Sequence, residues 1–259
     1  MQAVLMAGGI PTSEDPLFEA AAGRPKALID IAGKPMAQWV IDALDGSGHV
    51  DSLVIVGLGA EAGLRAHKPI SYVEDQGGLI DNALTGIRRA RELDPASAFA
   101  LLASVDIPGL TTEMVDWRVR TGLEAAADFD YIAVERGVME ARYPGSNRSY
   151  VKIRGHELCG GDLNVARTSL AARRELWEKL VASRKSALKQ AALLGFDTLF
   201  LLLTRQLTMP LAERLVSRSL GLQARLHLAP YAELAMDVDK PHQLAILRQD
   251  LASKARGHA

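Results

Sequence analysis

The sequence predicts an α/β protein built on a mainly parallel sheet with helices on both faces. Two observations carry this. Short, uniformly apolar runs such as Ala3-Val4-Leu5-Met6, Leu53-Val54-Ile55-Val56 and Phe99-Ala100-Leu101-Leu102-Ala103 alternate with amphipathic stretches at helical spacing. Strands apolar on both sides belong to sheets covered on both sides. The first run also stops at Ala7-Gly8-Gly9, and the third stops just short of Asp106. In such sheets ligands bind outside the carboxyl ends of the strands, so these two stops are the first places to look for chemistry.

Taken in order, residues 2–6 form a strand. Residues 35–45 form a helix with Trp39, Val40, Ile41 and Leu44 on one side. Leu53 to Gly57 is a second buried strand, followed by a helix around 60–67 and a short strand at 70–73. Residues 79–93 are helical, with Leu79, Ala83, Ile87 and Ala90 recurring on one face. A strand at 99–103, a helix at 111–125 and a strand at 130–135 continue the alternation. From 136 to 165 the pattern changes. Arg142-Tyr143-Pro144-Gly145 reads as a turn, Tyr150 to Arg154 as a half-exposed strand, and Gly155 with Cys159-Gly160-Gly161-Asp162 as hairpin punctuation. Residues 168–220 read as almost continuously helical, with breaks near Gly195 and at Met209-Pro210. A strand at 224–228 and a helix from Pro241 to about 253 close the chain. With no repeat or linker, residues 1–259 are expected to form one domain carrying a helical insertion over about 165–222.

Composition bounds the function. A chain 48% hydrophobic and 24% charged is ordinary for a soluble globular protein. A net charge of −1 supplies no global attraction to nucleic acid or an acidic membrane. One cysteine, Cys159, excludes an internal disulfide and a cysteine-built zinc site. Without a signal-like N-terminus the expected location is cytoplasmic. Leu199 to Leu203 is far shorter than the roughly 20 residues that span a bilayer. The segment 188–220 is nonetheless rich in apolar residues, with Arg184, Lys185, Lys189 and Arg205 interleaved or nearby. It reads either as a helical subdomain packed on itself or as a membrane-surface or self-association contact.

Four sets of residues carry candidate chemistry. Ala7, Gly8 and Gly9 end the first strand where backbone N–H groups can approach phosphate. Arg24-Pro25-Lys26-Ala27-Leu28 returns a cation toward that loop, and a lysine point charge suits triphosphate oxygens. Asp106 stands at the ligand edge of the sheet. Asp237-Val238-Asp239-Lys240-Pro241 puts two aspartates on one side of an extended segment, where they repel unless a cation joins them. Mg2+, a hard cation held by one or two carboxylates plus phosphates, fits that demand. The lesser reading is that Asp239 simply caps the helix that Pro241 begins. Gln76-Gly77-Gly78 precedes a helix whose first N–H groups are free, with Asn82 in its first turn. The glycines do not fit a dinucleotide fold, which needs three spaced glycines and an acidic residue ending the second strand.

Strand, Gly-Gly, then Pro-Lys-x-Leu resembles the opening of the nucleotidyltransferases, in the sugar-phosphate and molybdenum-cofactor branches of that family. The resemblance implies a Rossmann-like, glycosyltransferase-A-like sheet and transfer of a nucleotide from an NTP to a phosphorylated small-molecule acceptor, with pyrophosphate released. It implies that Lys26 contacts phosphate, with Arg24 as its possible partner. Asp106 and Asp239 would hold Mg2+, with Asp237 second. Gln76, Gly77, Gly78 and Asn82 would meet the base. Gly161, Asp162 and Asn164 would face the acceptor, and Lys152 or Lys185 its phosphate. The tight arginine-bearing loop of the family is missing, replaced by Ser13-Glu14-Asp15. Two rivals remain open. An A-type glycosyltransferase would use an Asp-x-Asp motif like Asp237-Val238-Asp239, and a non-catalytic module would bind nucleotide without turnover.

Overall fold

In a computed structural model, which describes residues 1–173, 201, 204 and 206–257, the apolar runs assemble into one sheet. Among the described residues it has nine strands. β1 (Gln2–Met6) lies between β4 (Ser52–Val56) and β6 (Phe99–Ser104), parallel to both, with Val4 opposite Val54 and Leu102. β5 (Ile70–Val73) extends the parallel part beyond β4. β10 (Leu163–Arg167) runs antiparallel between β6 and β7 (Phe129–Glu135). β11 (Ala224–Ala229) pairs parallel with β7, which also pairs antiparallel with β9 (His156–Gly160), and β8 (Val151–Ile153) forms the edge. A two-residue pair, β2 (Asp30–Ile31) and β3 (Lys34–Pro35), stands apart.

Alternation along β1 divides the core. Ala3 and Leu5 join α2 (Met36–Gly46), α4 (Thr112–Ala125), α7 (Pro241–Gly257) and the short α1 (Phe18–Ala21) in one buried layer. Val4 faces the opposite layer, under Leu84, Ile87 and Ala90 of α3 (Leu79–Leu93). α3 lies close because Gly86 has no side chain; a Cβ there would stand 2.3 Å from Val4 Cγ1. α6 (Met209–Leu220) covers β11.

The fold class and the strand ends agree with the sequence reading, and several details differ. Residues 60–67 form a 3₁₀ turn over Ala60–Ala62, stopped at Gly63 with φ 70°, rather than a helix. α5 (Arg136–Arg142) occupies residues read as irregular. Cys159 and Gly160 belong to β9 rather than to a turn, and β10 takes up 163–167 where the helical insertion was expected to begin; residues 174–200 of that insertion lie outside the described residues. The break read at Met209-Pro210 is present: residues 206–208 are not helical and α6 begins at Met209, with Pro210 in a first turn whose N–H has no partner to lose. The break near Gly195 lies outside the described residues. In 209–220, Met209, Leu211, Ala212 and Leu215 pack against Leu226, Leu228 and Leu158. Part of that apolar stripe is thus used on the protein's own sheet, with none of α6 fully buried, and residues 188–200 of the segment lie outside the described residues. Among the described residues no helix is long and apolar enough to cross a membrane.

Candidate active site

The site gathers at the carboxyl edge of β1 and β6. Ala7 N–H donates to Val56 O at 2.8 Å, which carries the glycine loop over the end of β4. Gly57, at φ 95°, makes this possible; its Cβ would lie 2.3 Å from Gly8 Cα. Gly9 (φ 105°) turns the chain outward, and its carbonyl accepts from Lys26 N–H at 3.1 Å. That bond pins the 3₁₀ turn Lys26–Leu28 beside the loop and sends the Lys26 side chain across to the end of β6. There Nζ donates to Asp106 Oδ2 at 2.9 Å and to Asp239 Oδ1 at 2.7 Å. Residues 26, 106 and 239 thus share one hydrogen-bonded set.

Each carboxylate is positioned by backbone. The Ser104 hydroxyl donates to the second oxygen of Asp106. Asp106 O accepts from Val238 N–H at 2.9 Å, which lays the Asp237–Asp239 segment alongside β6. The Gln243 side chain, on the first turn of α7, accepts from Asp239 N–H at 3.0 Å. Asp239 therefore leads into the helix while its carboxylate is held by Lys26. Asp162, entering β10, donates its N–H to Leu234 O and accepts from Ser104 N–H. Asp237 is buried and ion-paired to Arg148.

The charges are uneven. Four carboxylates face two cations, Lys26 and Arg148. Burial alone would lower the Lys26 ammonium, but Asp106 and Asp239 outweigh it and raise it above the ordinary lysine value. Burial pushes Asp237 up to about 7, against the pull of Arg148 and with help from Asp239 and Asp106. Burial, then Asp106 and Asp237, raise Asp162 as well. Asp239 goes the other way. Burial opposes the shift, yet a hydrogen bond from Asp237 and the Lys26 charge bring it to about 2. A region with more carboxylates than cations is suited to a divalent ion. Among the described residues no three acidic, imidazole or thiol groups form a ready-made cage. This suits an ion that takes one or two carboxylates and fills its shell with phosphate and water.

The loop that runs from Asp75 to Gly78 faces the glycine loop, with Asp75 against Gly8. Asp75 accepts from Gly77 N–H at 2.8 Å and Asn82 Nδ2 at 2.9 Å, while Asn82 Oδ1 accepts from Gln76 N–H at 2.7 Å. Asn82 thus ties down the loop that carries Gln76, Gly77 and Gly78. Gln76 Nε2 donates to Glu74 O. At the start of β10, Gly161 lies where a Cβ would meet Ile132 Cγ2 at 2.7 Å and Leu234 O at 2.8 Å. Asn164 turns both ends of its amide to backbone, accepting from Ile132 N–H and donating to Gly161 O. Lys152 pairs with Glu157 on the β8–β9 hairpin, and Arg24 is exposed before the Lys26 turn. Lys185 lies outside the described residues. Arg148, Ser104 and Gln243 join the site without having been singled out in the sequence. For Ser104 and Gln243 the proximity to Asp106 and to the Asp237–Asp239 segment was a usable signal. Arg148 gave none.

A model of the MobA-like NTP transferase domain matches residues 3–195. The chain belongs to the MobA-like NTP transferase family. A hypothetical transferase from Thermus thermophilus is 32% identical, superposes with a TM-score of 0.80, and is matched over 94% of this chain and 98% of its own. The CMP:2-keto-3-deoxy-manno-octonic acid synthetase solved with CTP superposes with a TM-score of 0.60 at 13% identity, over 98% and 99% of the two chains. The 4-diphosphocytidyl-2C-methyl-D-erythritol synthase of Anaerococcus prevotii gives 0.57 at 13% identity, over 96% and 95%. These two share the fold. The bifunctional protein GlmU of Thermoanaerobacter pseudethanolicus is 30% identical over 107 residues, 38% of this chain. The match spans 22% of GlmU. This transferase is accordingly a nucleotidyltransferase.

Proposed function

We propose that this transferase moves the nucleotidyl group of an NTP onto a phosphorylated small-molecule acceptor, with Mg2+ as its cation. The observation that carries the reading is the convergence of Lys26, Asp106 and Asp239 beside the glycine loop. In the reaction an acceptor phosphate oxygen bonds to the α-phosphorus, the bond between the α-phosphorus and the bridging oxygen breaks, and pyrophosphate leaves. The acceptor phosphate is already ionised, so no side chain has to remove a proton. Lys26 and the N–H groups of Gly8 and Gly9 hold the negative charge that grows on the leaving pyrophosphate. Asp106 and Asp239 would hold the cation, with Asp237 behind them, and the cation supplies Lewis-acid polarisation of phosphate oxygens. The loop Gln76–Gly78, held by Asp75 and Asn82, is the base-binding candidate. Arg24 is exposed and could close over phosphate.

Asp162 and Gly161 line the acceptor side, with Asn164 shaping the backbone there and Lys152 or Lys185 available to its phosphate. A cleft of about 380 Å³ lined by Glu135, Arg136, Glu140, His156 and Glu157 lies further along the same edge. Gly161 N–H donates to Ile132 O, three residues before Glu135 on β7, and the cleft offers room for the body of a small polar acceptor. The test is pyrophosphate release with each NTP, Mg2+ and a panel of sugar and polyol phosphates. Lys26→Ala and Asp106→Ala should each lose at least about 100-fold in kcat while their circular dichroism stays unchanged. Near-normal turnover in either variant refutes the reading.

A further inference from the structure

Lys26 carries a second role, which rests on the nucleotidyl-transfer reading. Its Nζ donates to Asp106 Oδ2 and Asp239 Oδ1 together. These are the oxygens that a divalent cation between the two aspartates would need. An ammonium and a metal ion on the same oxygens repel one another, so each weakens the hold of the other. The side chain has a second destination. Its backbone is fixed to Gly9, so a turn of the flexible four-carbon stem moves Nζ from the carboxylates to the glycine loop without moving the chain. The loop shows a matching arrangement. The Asp75 carboxylate packs on Gly8, where a Cβ would stand 2.7 Å from Oδ2, and the nearby Gly9 N–H favours its charged form. The protein's own anion lies on the amides suited to phosphate, as its own cation lies on the carboxylates suited to metal.

We propose that Lys26 is an exchangeable counter-ion: its ammonium neutralises Asp106 and Asp239 until nucleotide phosphate draws it away, and a divalent cation then takes its place. Cation binding is thereby made conditional on nucleotide. Without Lys26 the four carboxylates face Arg148 alone, so their affinity for a free divalent ion rises.

The test is a titration of Mn2+ into nucleotide-free protein, with free ion read by electron paramagnetic resonance. Lys26→Met should bind Mn2+ at least about tenfold more tightly than wild type. Lys26→Arg, which keeps the charge, should stay near wild type, and Asp106→Asn added to Lys26→Met should erase the gain. Unchanged or weaker binding by Lys26→Met overturns the proposal, as does an equal gain in Lys26→Arg. Lys26→Gln serves if Lys26→Met does not fold. In wild type, inorganic tripolyphosphate should increase Mn2+ bound to the protein beyond a protein-free control, and no increase counts against the exchange. Pyrophosphate release by wild type with no Mn2+ gain in Lys26→Met defeats the exchange alone. A gain in Lys26→Met with no pyrophosphate release from any NTP leaves the counter-ion role standing and defeats the transfer reading.

Discussion

Replacing Arg118 by methionine should be among the most damaging single changes outside the site. Arg118 on α4 is fully buried. Its Nε donates to Leu163 O at 2.9 Å, Nη2 to Asp130 O at 2.6 Å, and Nη1 to Asp130 Oδ2 at 3.1 Å. One guanidinium therefore clamps β10 to β7 and balances the buried Asp130. Methionine fills much of the volume but leaves Asp130 with His227 Nδ1, at 3.0 Å, as its other side-chain partner. Removing one partner of a buried pair costs about 3–5 kcal/mol. At about 2–4 °C per kcal/mol for a chain of this size, Tm should fall by about 6–20 °C. Thermal unfolding followed by circular dichroism measures it. The double variant Arg118→Met/Asp130→Asn should recover part of the loss, because the uncompensated charge is gone. The clamp lies one residue from Asp162, so kcat should fall more than Tm alone explains. A drop in Tm under about 3 °C, or a double variant worse than the sum of the singles, would refute this reasoning.

Three further outcomes follow from the site. Gly57→Ala should cost about 2 kcal/mol or more and raise the KM for NTP, since its Cβ meets Gly8 backbone that cannot yield; thermal unfolding and initial rates check both. Gly8→Ala should raise the KM for NTP with a smaller stability loss, because its Cβ meets the Asp75 carboxylate, a side chain that can swing aside; equal KM values would contradict this. The third concerns pH. Asp237 is raised to about 7, above its unfolded value, so its favourable contribution to metal-free stability is present at low pH and lost as pH rises through about 7. Ionised Asp237 strengthens the hold on a divalent cation, so the rise in Tm that Mg2+ adds to nucleotide-bound protein should be larger at about pH 8 than at about pH 5. A shift independent of pH would count against Asp237 facing the cation.

Lys26, Asp106 and Asp239 were legible because each sits at a boundary that sequence records: a Pro-Lys return after a glycine turn, the end of an apolar strand, and a D-x-D-x-P entry into a helix. Hydrophobic periodicity likewise located β1, β4, β6, α2, α3 and α4, where burial of a face dictates the pattern. β10 was hidden because Leu163-Asn164-Val165-Ala166-Arg167 is short and lies directly before a long helical pattern. Its identity as a strand is decided by β6 and β7 on either side, a long-range fact. α5 failed for the opposite reason, since seven residues from Arg136 carry little periodicity. Arg148 could not be seen at all. In Gly145-Ser146-Asn147-Arg148-Ser149 it looks like a solvated loop cation, and its burial against Asp237 is created entirely by packing.

The four carboxylates are not equivalent, and their difference tells how the site works. Asp239 is 53% exposed and Asp106 opens toward Lys26. Asp237 is deeper, paired with Arg148, and shares a hydrogen bond with Asp239. Burial makes Asp237 and Asp162 costly to ionise, so for folding alone apolar residues would serve better at both places. What the inner pair supplies is field: ionised, they strengthen the hold of Asp106 and Asp239 on any cation between them. Arg148 offsets part of that field, and on the exchange proposed above Lys26 occupies the outer oxygens reversibly. On that proposal the inner acids set how strongly a cation is wanted, and the two basic residues set when it can bind.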